Sequence, residues 1–357
     1  MGRFVSFGPG KITKALATPL VIIAVALTAA CNSSAGADPE SRTSASSEGS
    51  ESQNSTSYPL TLKTPYGSTV LKSEPKRVAI AGQVGDTENV LSLGVIPVLA
   101  PKFQLQWPWI DADDRDKIET QDESGSDNEV PLEQFAASKP DVIIATTDTN
   151  LESHYDKLSQ IAPVVAISNK AASTQFDWQQ SIKLIAEALN RNDEATEQIN
   201  TTNEKMAAVK KDHPEFAGKS ISFTIDYGAG NGRTFYNGTG SPGEEFLTSL
   251  GFDPADHAGE FTGERPQVSD ELLPQLDSDV MVVNYNTGEA AKKKLESDKI
   301  FASIPAVKDG RYVGLLPDAD SGSSPLAWSM ARPTAINLQW SIDYLVPKLV
   351  SAAKATE

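Results

Sequence analysis

NDEATEQINTTNEKMAAVKK, residues 192–211, contains neither glycine nor proline and sets Ala195, Ile199, Thr202, Met206 and Val209 at steps of four and three. That spacing is one face of a continuous helix, roughly 30 Å long at 1.5 Å per residue. His213-Pro214 stops it. On either side the pattern changes to short apolar runs. Residues 78–81, 96–99, 142–145 and 164–167 read as buried strands before it, and 221–225, 280–284 and 312–315 after it. Residues 87–93, 131–138 and 151–161 read as helices between the first strands, with Pro131 in a first turn. Two such alternating blocks predict an α/β protein of two lobes, each a mainly parallel sheet covered by helices. A helical strut between them restricts closure more than a hinge of Gly, Ser and Pro would.

Working outward, Tyr58-Pro-Leu-Thr-Leu-Lys-Thr64 and Ser68-Thr-Val-Leu-Lys72 alternate apolar and polar residues around Pro65-Tyr66-Gly67, a β-hairpin signal. Residues 32–57 hold ten serines and no aromatic residue, so they cannot bury enough surface to offset their ordering entropy and read as a flexible tether. Residues 1–30 begin with Arg3, Lys11 and Lys14 and continue into an uncharged apolar stretch interrupted by Pro19. This reads as a secretory signal. It ends Leu27-Thr28-Ala29-Ala30-Cys31, which resembles a bacterial lipoprotein cleavage site; Cys31, the only cysteine, would then carry the lipid. The usual site has Leu where this chain has Thr28. An ordinary signal peptide with an incidental cysteine is the alternative. The expected division is a signal at 1–30, a tether at 31–57, a first lobe at 58–191, a connecting helix at 192–213 and a second lobe at 214–357.

The 357 residues carry 31 Lys and Arg against 48 Asp and Glu, a net charge of −17 that loss of the three leader cations takes to −20. A chain this acidic is poorly suited to nucleic acid or to anionic lipid through its own charge. Three histidines and one cysteine exclude an internal disulfide and a Cys/His metal cluster. His154, His213 and His257 read as surface or capping residues. Ser73-Glu-Pro-Lys76 and Ser126-Asp-Asn128 match two penicillin-recognising motifs, but Pro75 opposes the required helix and no Lys-Thr-Gly follows. Gly228-Ala-Gly-Asn-Gly232 lacks phosphate-loop spacing.

Pro75-Lys-Arg-Val78 after the hairpin, Leu132-Glu-Gln-Phe-Ala-Ala-Ser-Lys-Pro-Asp-Val-Ile-Ile-Ala145, and Val268-Ser-Asp-Glu-Leu-Leu-Pro-Gln-Leu-Asp-Ser-Asp-Val-Met-Val-Val283 together resemble the substrate-binding lipoproteins of iron-siderophore and cobalamin ABC importers. The resemblance extends over the chain after Tyr58. It implies two Rossmann-like lobes joined by one long helix, with the ligand cleft between them. It implies capture of a ferric siderophore and delivery to a permease with its ATPase, by a monomer lipid-anchored at the outer face of the membrane. Glu133 and Glu271 match the family's docking glutamates, one per lobe. Residues 111–128 stand out as an acidic insertion.

Open α/β sheets bind ligands at the carboxyl ends of their strands. Gln83, Asp86, Lys102, Trp107, Trp109 and Thr146 to Asn150 lie there in the first lobe. Tyr227, Arg233, Tyr236, Arg265, Tyr285, Asn286, Trp328 and Arg332 lie there in the second. The ligand-binding candidates are Trp107, Trp109, Tyr227, Arg233, Tyr236, Arg265, Tyr285, Trp328 and Arg332. Aromatic rings with a few arginines suit a large, partly apolar ligand carrying anionic groups. A ferric siderophore already satisfies its iron, so no metal ligand, catalytic residue or cofactor is expected. Haem, cobalamin or another chelate is the alternative cargo, and an adhesion or sensor protein of the same fold the alternative role.

Overall fold

A computed structural model describes residues 55–123, 130–168, 176–228, 230–263, 266–317 and 324–355. The leader, residues 31–54 of the expected tether with Cys31, the Ser126-Asp-Asn128 motif and Arg265 lie outside these residues, whereas 55–57, expected as the tether's end, are described. Strands β1 (Leu60–Thr64) and β2 (Gly67–Leu71) form the expected antiparallel hairpin, with Gly67 at φ 117°, a region that favours glycine, closing its turn.

The first sheet runs β5-β4-β3-β6-β7, all parallel, from β3 (Val78–Ile80), β4 (Leu99–Pro101), β5 (Thr120–Asp122), β6 (Val142–Ala145) and β7 (Val164–Ala166). The second runs β10-β8-β11-β12, with β9 antiparallel on β8. Its strands are β8 (Ser220–Asp226), β9 (Arg233–Phe235), β10 (Asp253–Pro254), β11 (Val280–Tyr285) and β12 (Tyr312–Leu315). Every residue of β3, β6, β8 and β11 is buried, as strands covered on both faces must be.

Two expectations need correction. The 96–99 strand is shifted to Leu99–Pro101. The 151–161 helix breaks into a 3₁₀ turn, Leu151–Ser153, and a short helix, Tyr155–Ser159. The described part of the acidic stretch, residues 111–123, builds onto the first sheet, within the expected first lobe. Asp111 caps the helix Ala112–Asp116 through the N–H groups of Asp113 and Asp114, and Thr120–Asp122 becomes the sheet's edge strand. Glu119 locks that edge by pairing with Arg77 at 2.9 Å.

The connecting helix runs Asn192–Asp212 and buries Ala195, Ile199, Thr202 and Val209, with His213 at its C-cap. It does not stand alone. The C-terminal helix Ala335–Lys354 lies against it and carries Leu338, Ile342, Leu345 and Leu349 inward. Gln339 donates to the Thr202 hydroxyl at 3.0 Å, and Lys205 reaches the Gln339 carbonyl at 3.0 Å and Asp343 at 2.6 Å. One apolar cluster runs unbroken from Val78 and Ile80 through Ile182, Ile199 and Ile342 to Ile221 and Phe223. At the chain's entry, Thr56 bonds Asn190 and Glu187, and Tyr58 bonds the Ala188 carbonyl, at the bend between helix Trp178–Leu189 and the connecting helix.

Candidate functional site

In the first sheet the chain proceeds from β3 outward to β5, then crosses to β6 and β7, so its switch point lies between the carboxyl ends of β3 and β6. Asp86, fully buried there, accepts from the N–H and hydroxyl of Thr146 at 2.7 and 2.5 Å and from Thr147 N–H at 3.2 Å. Burial still pushes its carboxyl up to about 6. A Cβ on Gly82 would lie 1.8 Å from Asp86 Oδ2, so only glycine fits. Two residues on, Glu88 accepts from Thr334 at 2.9 Å and Asn337 at 3.0 Å, the pair that forms the capping box of the C-terminal helix. Burial pushes this carboxyl up to about 7, against Thr334, the Trp109 indole and Asn337, which favour its charged form. Glu88 was not apparent from sequence, because nothing local marks a helical glutamate as buried.

Trp107 and Trp109, after β4, meet Trp328 from helix Pro325–Ala331 in one aromatic seam. Trp107 stacks on Trp109 with centroids 5.7 Å apart and lies 6.1 Å from Trp328. Trp109 abuts Trp340 at 5.3 Å, and Trp340 stacks on Tyr344 at 5.0 Å. Trp107 is buried, so it packs the two halves together; Trp109 and Trp328 stay partly accessible. A pocket of about 500 Å³ opens beside the seam, lined by Pro108, Asn284, Leu315, Trp340, Tyr344 and Lys348. Trp340, Tyr344 and Lys348 share one face of the C-terminal helix, an i, i+4, i+8 signal the sequence did contain. A second pocket, about 430 Å³, lies at the carboxyl ends of β4 and β5 between Lys102, Phe103 and Arg115.

The second sheet switches between β8 and β11. Asp226 ends β8 opposite Arg233 of β9 and Tyr285 of β11. Tyr227 and Tyr236, both half-buried, pair through their hydroxyls. Tyr285 is fully buried and bonds the Tyr312 hydroxyl at 2.6 Å, so it supports the mouth from beneath; burial raises its phenol above the ordinary range. Arg233 pairs with Asp270 and lies 3.7 Å from Asp226. Arg332 stands 5.8 Å over the Phe176 ring and donates to the Ala331 carbonyl. The structure thus brings Tyr227, Arg233, Tyr236 and Tyr285 together, and Trp107, Trp109 and Trp328 together.

A model of the family described as periplasmic binding protein matches residues 81–319, more than half of the chain. The chain belongs to the periplasmic binding protein family. This binding protein is 29% identical to the "Probable siderophore-binding lipoprotein YfiY" of Bacillus subtilis (strain 168), over 81% of this chain and 86% of the relative. Its fold is similar to Streptococcus pneumoniae TIGR4 PiaA in complex with ferrichrome, with TM-score 0.67, 27% identity, and 83% and 99% of the two chains covered. Staphylococcus aureus SirA complexed with staphyloferrin B is similar at TM-score 0.64 and 26% identity, covering 81% and 98%.

On the binding protein's surface, Glu133 lies in the first turn of helix Leu132–Ser138, whose N-cap is Pro131, one place outside the expected first turn. Glu271 lies in the first turn of the 3₁₀ helix Asp270–Leu276. Both are exposed, and neither has an ion pair among the described residues. Of the histidines, His213 caps as expected and His257 pairs with Glu260 on the surface, whereas His154 is buried against Asp148 at 2.5 Å.

Proposed function

We propose that this chain captures a ferric siderophore outside the cytoplasmic membrane and delivers it to an ABC permease driven by its ATPase. The observation that carries the reading is likeness over four-fifths of the chain to a siderophore-binding lipoprotein and to PiaA and SirA, whose structures hold ferrichrome and staphyloferrin B. The two mouths, rich in tyrosine and tryptophan, supply broad flat surfaces and hydroxyl donors for a chelate whose iron needs no further ligand. Reversible capture requires no catalytic group, so the protein acts as a carrier and not an enzyme. In the same reading the lobes divide at the connecting helix, the protein works as a monomer, and Cys31 carries two acyl chains that hold it at the membrane. Arg265, outside the described residues, belongs to the second mouth in this reading. Trp109 or Trp328 should report binding. Titration of the purified protein with ferric siderophore should quench tryptophan fluorescence saturably, with much weaker binding of unchelated ferric ion. Equal affinity for free iron, or tighter binding of haem or cobalamin, would refute the cargo.

A further inference from the structure

Lys102, Arg115, Lys205 and Arg233 each face a carboxylate, but Lys348, half-buried on the C-terminal helix, has none among the described residues. Its Nζ lies 3.7 Å over the Tyr344 ring and donates to the Tyr344 carbonyl at 2.7 Å, so its partners are a ring face and a neutral oxygen. Burial, with no acidic neighbour to oppose it, holds its ammonium below the ordinary lysine range. That ammonium is the one charged group among the residues lining the pocket of about 500 Å³ beside the seam. The rest of the wall is largely apolar, from Pro108, Val313, Leu315, Leu316, Pro325 and Leu326, with the stacked rings of Trp340 and Tyr344 along one side. Its neutral Asn284 and Ser324 side chains bond each other. Leu316 is left 37% exposed, apolar surface that an occupant would cover. Trp340 and Lys348 stand two helical turns apart, about 12 Å along the axis.

We propose that this pocket is a binding site for a medium-chain fatty acid, whose carboxylate pairs with Lys348 and whose chain lies along Tyr344 and Trp340 toward the tryptophan seam. A carboxylate gives the partly desolvated ammonium the partner that the fold withholds, and the chain takes the apolar wall out of water. The volume suits a small amphiphile. An anion with several charges finds no second cation on this wall, so the site selects a single carboxylate. The inference does not depend on the cargo of the cleft, and failure of the siderophore titration leaves it standing.

Octanoate, decanoate and uncharged decanol are titrated against the purified wild-type, Lys348→Met and Lys348→Arg proteins, followed by calorimetry and tryptophan fluorescence. Wild type should bind one decanoate saturably and octanoate several-fold more weakly, since two buried methylenes are lost. Lys348→Met keeps an aliphatic stem without the charge. It should weaken decanoate by at least about tenfold while leaving decanol within about twofold, and Lys348→Arg should restore decanoate. Decanol bound alike by all three proteins would show the pocket intact in each. Non-saturable uptake of decanoate, decanoate affinity unmoved by Lys348→Met, or equal loss of decanoate and decanol in that variant overturns the inference.

Discussion

Glu88 holds its proton to about 7, while the same carboxyl in the unfolded chain titrates near 4.5. Between those values the folded protein binds more protons than the unfolded one, so this contribution to stability is fully present below about 4.5 and is lost as pH rises through about 7. Asp86 acts with the same sign up to about 6. Carboxyls held below their ordinary range, such as Glu119 beside Arg77, act only at lower pH. The melting temperature should therefore rise as pH falls from 8 toward 5.5, and Glu88→Gln should flatten that dependence. A wild-type profile that falls over this interval would show that Glu88 is ionised in the fold. Neither carboxyl's burial was legible in Asp86-Thr-Glu-Asn89, where Asp86 reads as a cleft residue after the first strand and Glu88 as an ordinary first-turn glutamate. The cause is tertiary: Thr146 and Thr334, 60 and 246 residues away, supply the partners.

At the scale of elements, the strands that read clearly were those buried on both faces, because β6 is an uninterrupted apolar run and β11 is apolar up to Asn284. The edge strand Thr120–Asp122 carries no apolar pattern and is set by its neighbour and by Arg77–Glu119. Helix Ala335–Lys354 was hidden by Pro347, which in most sequences ends a helix. Its stripe of Leu338, Ile342, Leu345 and Leu349 nonetheless follows helical spacing. Because that stripe joins the core shared by both sheets, Leu345→Ala should cost about 2–5 kcal/mol and lower one common transition. Coincident near- and far-ultraviolet melting curves would check it; two separated transitions would mean the lobes are energetically independent.

For the molecule as a whole, two long helices side by side, and not one, brace the lobes. Closure on ligand should accordingly be small, and scattering profiles of empty and loaded protein should nearly superimpose. A change as large as wide hinge closure would rule the brace out. The candidate docking charges sit outside this frame, one per lobe, exposed on Glu133 and Glu271. In the family reading they orient the protein on a two-fold permease, so Glu133→Ala/Glu271→Ala should retain folding and ligand affinity yet nearly abolish reconstituted uptake. Full uptake by the folded double variant would return both residues to a helix-dipole role. The sequence made the two-lobe plan readable through 192–211, but not the pairing of Arg233 with Asp270, since the sign of a side chain says nothing of what neutralises it.

The hydrogen bonds that fasten Thr56 to Glu187 and Asn190 also define a load path. A tug arriving along the preceding chain would be delivered to the bend where helices Trp178–Leu189 and Asn192–Asp212 meet. In the lipid-anchored reading proposed above, a pull from the tether would therefore be taken up by these two helices and not by the strands that carry the mouths.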